Sequence, residues 1–373
     1  MYKKIEMKKI AIVLPDLRGG GAERLHVNLA KYWNSKGYKI DFVLLQRKGE
    51  LLDLLPASVG IVNLDIYRIR HLLLPLAHYL KSTRPDILIV AMWPLTSMAV
   101  LSWLLAGKPG KLFLSDHIQL SISCEHEITF PAWLLGTIIR FTYPLANGII
   151  AVSEGVKKDM CKLGGLSDEL IRVIYNPAAV GILPQRESLH VRQMLWGSGF
   201  DHHILSVGSL KLQKDHATLI QAFALLPVSL NAKLTILGEG SFRSELEAMV
   251  EDLGLQAKVS FPGFEVDPYP WFRSADLFVL SSRWEGFGNV IVEALECGLP
   301  VVSTDCPSGP AEILENGLYG MLVPTQNPNA LADAIMKSLN TNHDREKLVR
   351  RAKDFSVEKI AAEYLNYVNT QVT

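Results

Sequence analysis

The sequence is poor in the features that would set it apart from ordinary folded proteins. Cysteine is scarce: Cys124, Cys161, Cys297 and Cys306 are widely spaced and include no CxxC pair, which excludes a disulfide framework and a thiolate zinc site. No run of 18 consecutive apolar residues occurs, so no stretch reads as a membrane span. Residues 1–9 are rich in lysine, but the apolar run at 10–14 is too short for an export core and meets Pro15 and Asp16 at once. No Asp-x-Asp pair occurs. No basic stripe alternates with stacking aromatics, so no nucleic-acid partner is expected. An excess of one charge is missing too, with 38 Lys and Arg against 38 Asp and Glu.

What is present is apolar material for large cores. Of 373 residues, 49% are hydrophobic and 20% charged, which suits two folded domains rather than one or a disordered chain. The even charge hides an asymmetry. Residues 1–180 hold 22 basic and 15 acidic side chains, whereas 181–373 hold 16 and 23. The front half is therefore the better host for an anionic partner or surface.

Short β-rich runs alternate with helical patterns along the whole chain. In the front half, strands are expected at 10–14, 39–44, 87–90, 111–114, 148–152 and 171–174, with helices at 22–33, 72–81, 97–105 and 154–161. The runs are apolar on both faces, as the strands of a helix-covered parallel sheet must be. A polar stretch at 181–199 separates the halves. The alternation then restarts with strands at 204–207, 233–237, 259–262, 277–280 and 301–303 and helices at 216–225, 241–253, 289–297, 309–314 and 330–339. Two α/β domains in series fit better than one sheet of about twelve strands. The pattern predicts an N-terminal domain over 1–185, a C-terminal domain over 186–354 and a last helix within 355–373 that could return to the first domain.

Three constellations could carry chemistry. Gly19-Gly20-Gly21-Ala22-Glu23-Arg24 follows the first strand and opens a helix, where exposed amides favour a phosphate or sugar; the alternative is a turn made only for tight geometry. It is not the dinucleotide fingerprint GxGxxG. Gly208-Ser209-Leu210-Lys211-Leu212-Gln213-Lys214 lies at a strand end, where Lys211 or Lys214 could neutralise a diphosphate or simply face solvent. The block from Ser281 to Leu295 is the richest. Glu285 stands on a glycine-containing loop and Glu293 in the helix that begins near Asn289, so two carboxylates can address different parts of one extended ligand.

The Gly20-Gly21-Ala22-Glu23 opening, Lys214, and the Glu285–Glu293 block followed by Cys297-Gly298-Leu299-Pro300-Val301-Val302 resemble the retaining nucleotide-sugar glycosyltransferases of family 4. The resemblance covers nearly the whole chain and implies the GT-B fold, two Rossmann-like α/β domains facing each other across a cleft. It implies that Glu285 contacts hydroxyls of the transferred sugar, Glu293 the nucleotide ribose and Lys214 the diphosphate. Phe287, Gly288, Asn289 and Val290 resemble the backbone cradle around phosphate and sugar. Gly20 and Gly21 resemble the front-domain loop over the donor, and His117 the family histidine near the reacting carbon, better suited to positioning than to acting as a dedicated base. Ser209 departs from the family, which often has arginine there; the second basic contact is then missing or comes from Lys211. No cofactor and no essential metal are implied, because the diphosphate leaves on protein charges alone.

The function implied is transfer of a hexose or N-acetylhexosamine with retention, from a nucleotide sugar, with UDP favoured over GDP. The Pro307-Ser308-Gly309-Pro310 form, with Gly309 and Glu312 near the donor, resembles bacterial enzymes that build lipopolysaccharide, capsule or glycan on a lipid carrier. The expected acceptor is therefore a polyprenyl-diphosphate-linked saccharide, met against the basic front domain with Arg68, Arg70, His71, Lys81 and Arg84. Apolar density at 92–105 and 128–145, with Trp93, Trp103, Trp133 and Tyr143, suggests a cytoplasmic protein peripheral on the inner face of an anionic membrane. Buried helices would give the same density. The competing readings are a GDP-sugar transferase and a catalytically silent nucleotide-sugar-binding partner in a glycan-assembly complex, the latter kept open by Ser209. A phosphorylase would need a pyridoxal-phosphate lysine in a context this sequence does not provide.

Overall fold

The computed structural model describes residues 8–126 and 130–370. The opening lysines up to Met7 and the start of the 128–145 segment lie outside them. The chain divides into two compact units, Met1–Pro177 with Val357–Thr373, and Ala178–Ser356.

In the first unit the described residues form a parallel sheet of seven strands: β1 (Lys9–Leu14), β2 (Lys39–Leu44), β3 (Gly60–Asn63), β4 (Ile87–Ala91), β5 (Lys111–Asp116), β6 (Gly148–Ala151) and β7 (Ile171–Val173). Their order is β3-β2-β1-β4-β5-β6-β7, so the chain changes direction across the sheet between β1 and β4. The central strands are buried on both faces, which explains their unbroken apolar runs. Helix Val357–Thr370 completes this core. Trp33 Nε1 donates to the Ala361 carbonyl at 3.0 Å, the Trp33 and Tyr364 rings lie 6.0 Å apart, and Tyr367 stands edge-on to Phe113 at 5.7 Å.

The second unit holds a parallel sheet of β8 (His202–Val207), β9 (Ala232–Leu237), β10 (Val259–Gly263), β11 (Leu277–Leu280), β12 (Val301–Thr304) and β13 (Met321–Val323). The order β10-β9-β8-β11-β12-β13 reverses between β8 and β11. The unit begins at Ala178 rather than near residue 186 because 178–182 is tied into it. The Glu296 carboxylate accepts from the amides of Val180, Gly181 and Ile182 at 3.2, 2.6 and 3.1 Å, and Ala179 N donates to the Phe355 carbonyl at 3.1 Å.

Two residues proposed for a membrane interface belong to the core instead. Trp103 is 4% exposed with its Nε1 on the Pro109 carbonyl, and Tyr143 is fully buried with its hydroxyl on Asp116. Their apolar surface fills the space between sheet and helices. Trp93 is half-buried with its ring 5.2 Å from that of Phe130. Trp133 and Phe141 do face outward, 73% and 70% exposed, on helix Ala132–Thr142. No helix among the described residues is long and apolar enough to cross a membrane.

Candidate active site

In open parallel sheets, ligands bind beyond the carboxyl ends of the strands where the strand order reverses. In the second unit that point lies between β8 and β11, and the loops after those strands carry Lys214 and Glu285. Lys214 Nζ lies 2.5 Å from Glu285 Oε1, and the pair is largely buried. Ser282 donates to the same oxygen at 2.6 Å. Ser281 Oγ donates to the Lys214 carbonyl at 2.9 Å, the Arg283 amide to the Gln213 carbonyl at 2.8 Å, and Gln213 Nε2 to the Trp284 carbonyl at 3.0 Å. The Arg283 guanidinium meets the Asp215 carboxylate at 3.1 Å. These bonds fasten the two loops to each other, so the ammonium and carboxylate are held in place before any ligand arrives.

Beside the pair begins helix Asn289–Glu296. Its N-cap is Gly288, in the left-handed region, a residue that brings no capping side chain of its own. Phe287 turns its ring inward, 5.4 Å from that of Phe355, so the contribution of this residue to a ligand would be its backbone. Ser308 donates to the Gly286 carbonyl at 2.8 Å, and Gly309 packs against the Phe287 carbonyl. Asn289 and Val290 are half-exposed, whereas Glu293 is buried one turn further along the helix. Ser209 is exposed, and its carbonyl accepts from the Lys211 amide at 2.9 Å. Burial, with the Glu285 charge next in size, pushes the Cys306 thiol far up, so this cysteine is an inert filler beneath the loop.

The first unit gathers a second cluster at the ends of β1, β4 and β5, again around its reversal point. Gly20 is the N-cap of helix Gly21–Ser35, and Glu23 folds back over it; a Cβ on Gly20 would meet Glu23 Oε2 at 2.2 Å. Burial, and then the Asp16 charge, raise the Glu23 carboxyl to about 7, with its own backbone N–H and Arg18 acting against this. Asp16 is itself held by Arg18. His117 follows β5, its Nε2 3.1 Å from Ser115 Oγ and its imidazole held far below the usual range by burial. Asp116 is raised to about 6 by burial, against the 2.7 Å bond from the Tyr143 hydroxyl.

The raised Glu23 group makes stability depend on pH in a definite direction. The native state binds this proton more tightly than the unfolded chain, so stability falls as pH rises from about 4.5 towards 7. Glu23→Gln removes that loss and raises stability at pH 8 by on the order of 2 kcal/mol, with little effect at pH 4.5. Urea unfolding at both values checks this; an equal effect of the substitution at both would contradict it.

Lys214 and Glu285 lie in separate motifs of the sequence, which carries no sign of their pairing, and Ser282, Gln213, Glu296 and His26 do not stand out in it as site residues. Ser282 lies inside the quoted block, three positions before Glu285, which is the only local signal for it. Glu296 lies three positions after Glu293 in a helix whose other inner residues are apolar, and that local contrast was legible.

Two family models match this chain, Glycosyltransferase Family 4 over residues 19–180 and Glycosyl transferases group 1 over residues 200–355. Together they take in most of both units, and the chain belongs to the family 4-like glycosyltransferases of the GT-B fold. It is 34% identical over 237 residues to N-acetylgalactosamine-N,N'-diacetylbacillosaminyl-diphospho-undecaprenol 4-alpha-N-acetylgalactosaminyltransferase of Campylobacter jejuni, covering 62% of this chain and 62% of that protein. With two further curated relatives the aligned part is 48% and 58% of their lengths. It is 29% identical to the lipopolysaccharide core biosynthesis glycosyltransferase LpsE of Rhizobium meliloti over 93% of this chain and 95% of that one. Among solved structures, Anabaena HepE in complex with UDP superposes with a TM-score of 0.78 at 24% identity, over 98% of this chain and all of that one, a likeness of fold.

Proposed function

We propose that this chain transfers a hexose or N-acetylhexosamine, with retention, from a UDP-sugar to a lipid-linked saccharide in cell-surface glycan assembly. The observation that carries the reading is the buried Lys214–Glu285 pair at the sheet's reversal point, beside the N-terminus of helix Asn289–Glu296. A nucleotide sugar breaks at the anomeric carbon as negative charge gathers on the departing diphosphate. Fixed donors and a cation aimed at that charge lower the barrier. Lys214 supplies the cation and the helix Asn289–Glu296 the dipole. Glu285, already oriented by Lys214 and Ser282, keeps carboxylate oxygen for the sugar's hydroxyls, and Glu293 is assigned the ribose. In this reading the diphosphate takes the acceptor proton, His117 positions the sugar, Gly20 and Gly21 close over the donor, and no metal takes part.

UDP is favoured over GDP because HepE was solved with UDP and with UDP-glucose. The lipid-linked acceptor is supported by the diphospho-undecaprenol in the name of the Campylobacter relative. Exposed Trp133 and Phe141, flanking Arg140 on one helix, suit the surface of an anionic membrane. Incubation with radiolabelled UDP-sugars and anionic vesicles bearing polyprenyl-diphosphate saccharides tests all of this together. The expected result is label in the lipid fraction and protein floating with the vesicles, with Trp133→Ala/Phe141→Ala lowering flotation at least about fivefold. Label transferred equally well to a detergent-free soluble acceptor, with no flotation, would refute the membrane part.

A further inference from the structure

His26 lies outside every motif described above, yet it stands against His117. The two rings meet edge to face with centroids 5.3 Å apart, and both are buried. His26 Nδ1 is 2.7 Å from the Ala22 carbonyl. A carbonyl only accepts, so Nδ1 carries the proton of that ring and Nε2 is a bare lone pair. That Nε2 has no hydrogen-bond partner among the described residues, and neither has His117 Nδ1. Burial keeps His26 neutral, down to about 4. A buried, unpaired ring nitrogen costs stability, and two of them on touching rings at a strand end call for an explanation.

We propose that His26 is a positioning residue for His117, which rests on the reading of His117 as part of a transferase site. The bond to Ala22 locks the His26 ring, and the locked ring walls one side of His117. Ser115 takes His117 Nε2 on the other side. The neighbouring Asp116 carboxyl on the same strand is engaged by Tyr143. His117 is thus left with one ring orientation and one uncommitted nitrogen, Nδ1, for a hydroxyl of the donor sugar, which can accept or donate.

The test is a double-mutant cycle with a structural readout. His26→Phe keeps the ring's bulk and removes both nitrogens; His26→Asn keeps a donor for the Ala22 carbonyl. His26→Phe is expected to lower kcat by about tenfold with the donor KM within about twofold, and His26→Asn to recover part of the loss. On a His117→Ala background His26→Phe is expected to cost less than about twofold, since the partner it acts through is gone. Nitrogen NMR of the imidazoles is expected to show His117 in one tautomer in the parent and in a mixture in His26→Phe. Equal kinetic cost in both backgrounds, or unchanged His117 nitrogen shifts, would overturn the proposal. If the parent transfers no sugar while the His117 shifts still respond to His26, the transferase reading fails and the coupling stands.

Discussion

Replacing Lys214 with methionine lowers kcat/KM for sugar transfer by about 10²–10³-fold, because it removes the buried cation paired with Glu285 at the reversal point. The same change also destabilises the second unit. Glu285 is left buried with only Ser282 against its Oε1 oxygen, and an uncompensated buried charge of this kind costs about 3 kcal/mol. The two effects separate in Lys214→Met/Glu285→Gln. That pair of substitutions removes both charges, so thermal stability returns towards the parent while transfer stays lost. Recovery of transfer along with stability would mean that Lys214 only neutralises Glu285 and does nothing for the leaving group.

The second large effect is on folding. Gly309 has φ +90° and ψ −69°, and a Cβ there would lie 1.9 Å from the Phe287 carbonyl oxygen, a backbone atom that cannot swing aside. Gly309→Ala therefore destabilises the second unit by about 3–5 kcal/mol, lowering Tm by roughly 10 °C. It also weakens nucleotide binding, since Phe287 leads directly into the N-terminus of helix Asn289–Glu296. Gly165 provides the comparison. It too has positive φ, at +61°, but nothing lies within 4 Å of an added Cβ, so Gly165→Ala costs only about 1 kcal/mol. Similar melting temperatures for the two variants would show that the contact with Phe287 is not what holds the loop.

The strands that build these sites were legible because burial on both faces leaves a continuous apolar run, as in β1, β4 and β11. The edge strands were not. Gly60–Asn63 is half-exposed along its length and Met321–Val323 has three residues, so neither carries a pattern above its surroundings. Helix Arg345–Ala352 buries only Leu348 and Ala352 among five charged residues, too thin a stripe to read, and Leu189–Trp196 is hidden in the polar stretch between the halves. The motif glycines, Lys214, Glu285 and Glu293 stand out in the sequence because their order along the chain is local. Their partnerships were not local. Lys214 and Glu285 are 71 residues apart, and His26 meets His117 only because β1 and β5 flank β4 in the sheet. Trp103 and Tyr143 show the reverse error: a dense apolar segment says that something will be buried, without saying whether sheet or membrane does the burying.

In the proposed reaction the second unit binds a nucleoside diphosphate through Lys214. Calorimetric titration of the full chain with UDP, GDP and ADP, in the presence of a metal chelator, measures this binding. UDP is expected to bind in the micromolar range and GDP and ADP about tenfold or more weakly, with the UDP signal lost in Lys214→Met. No binding of any of the three, or UDP binding that Lys214→Met leaves unchanged, would contradict it.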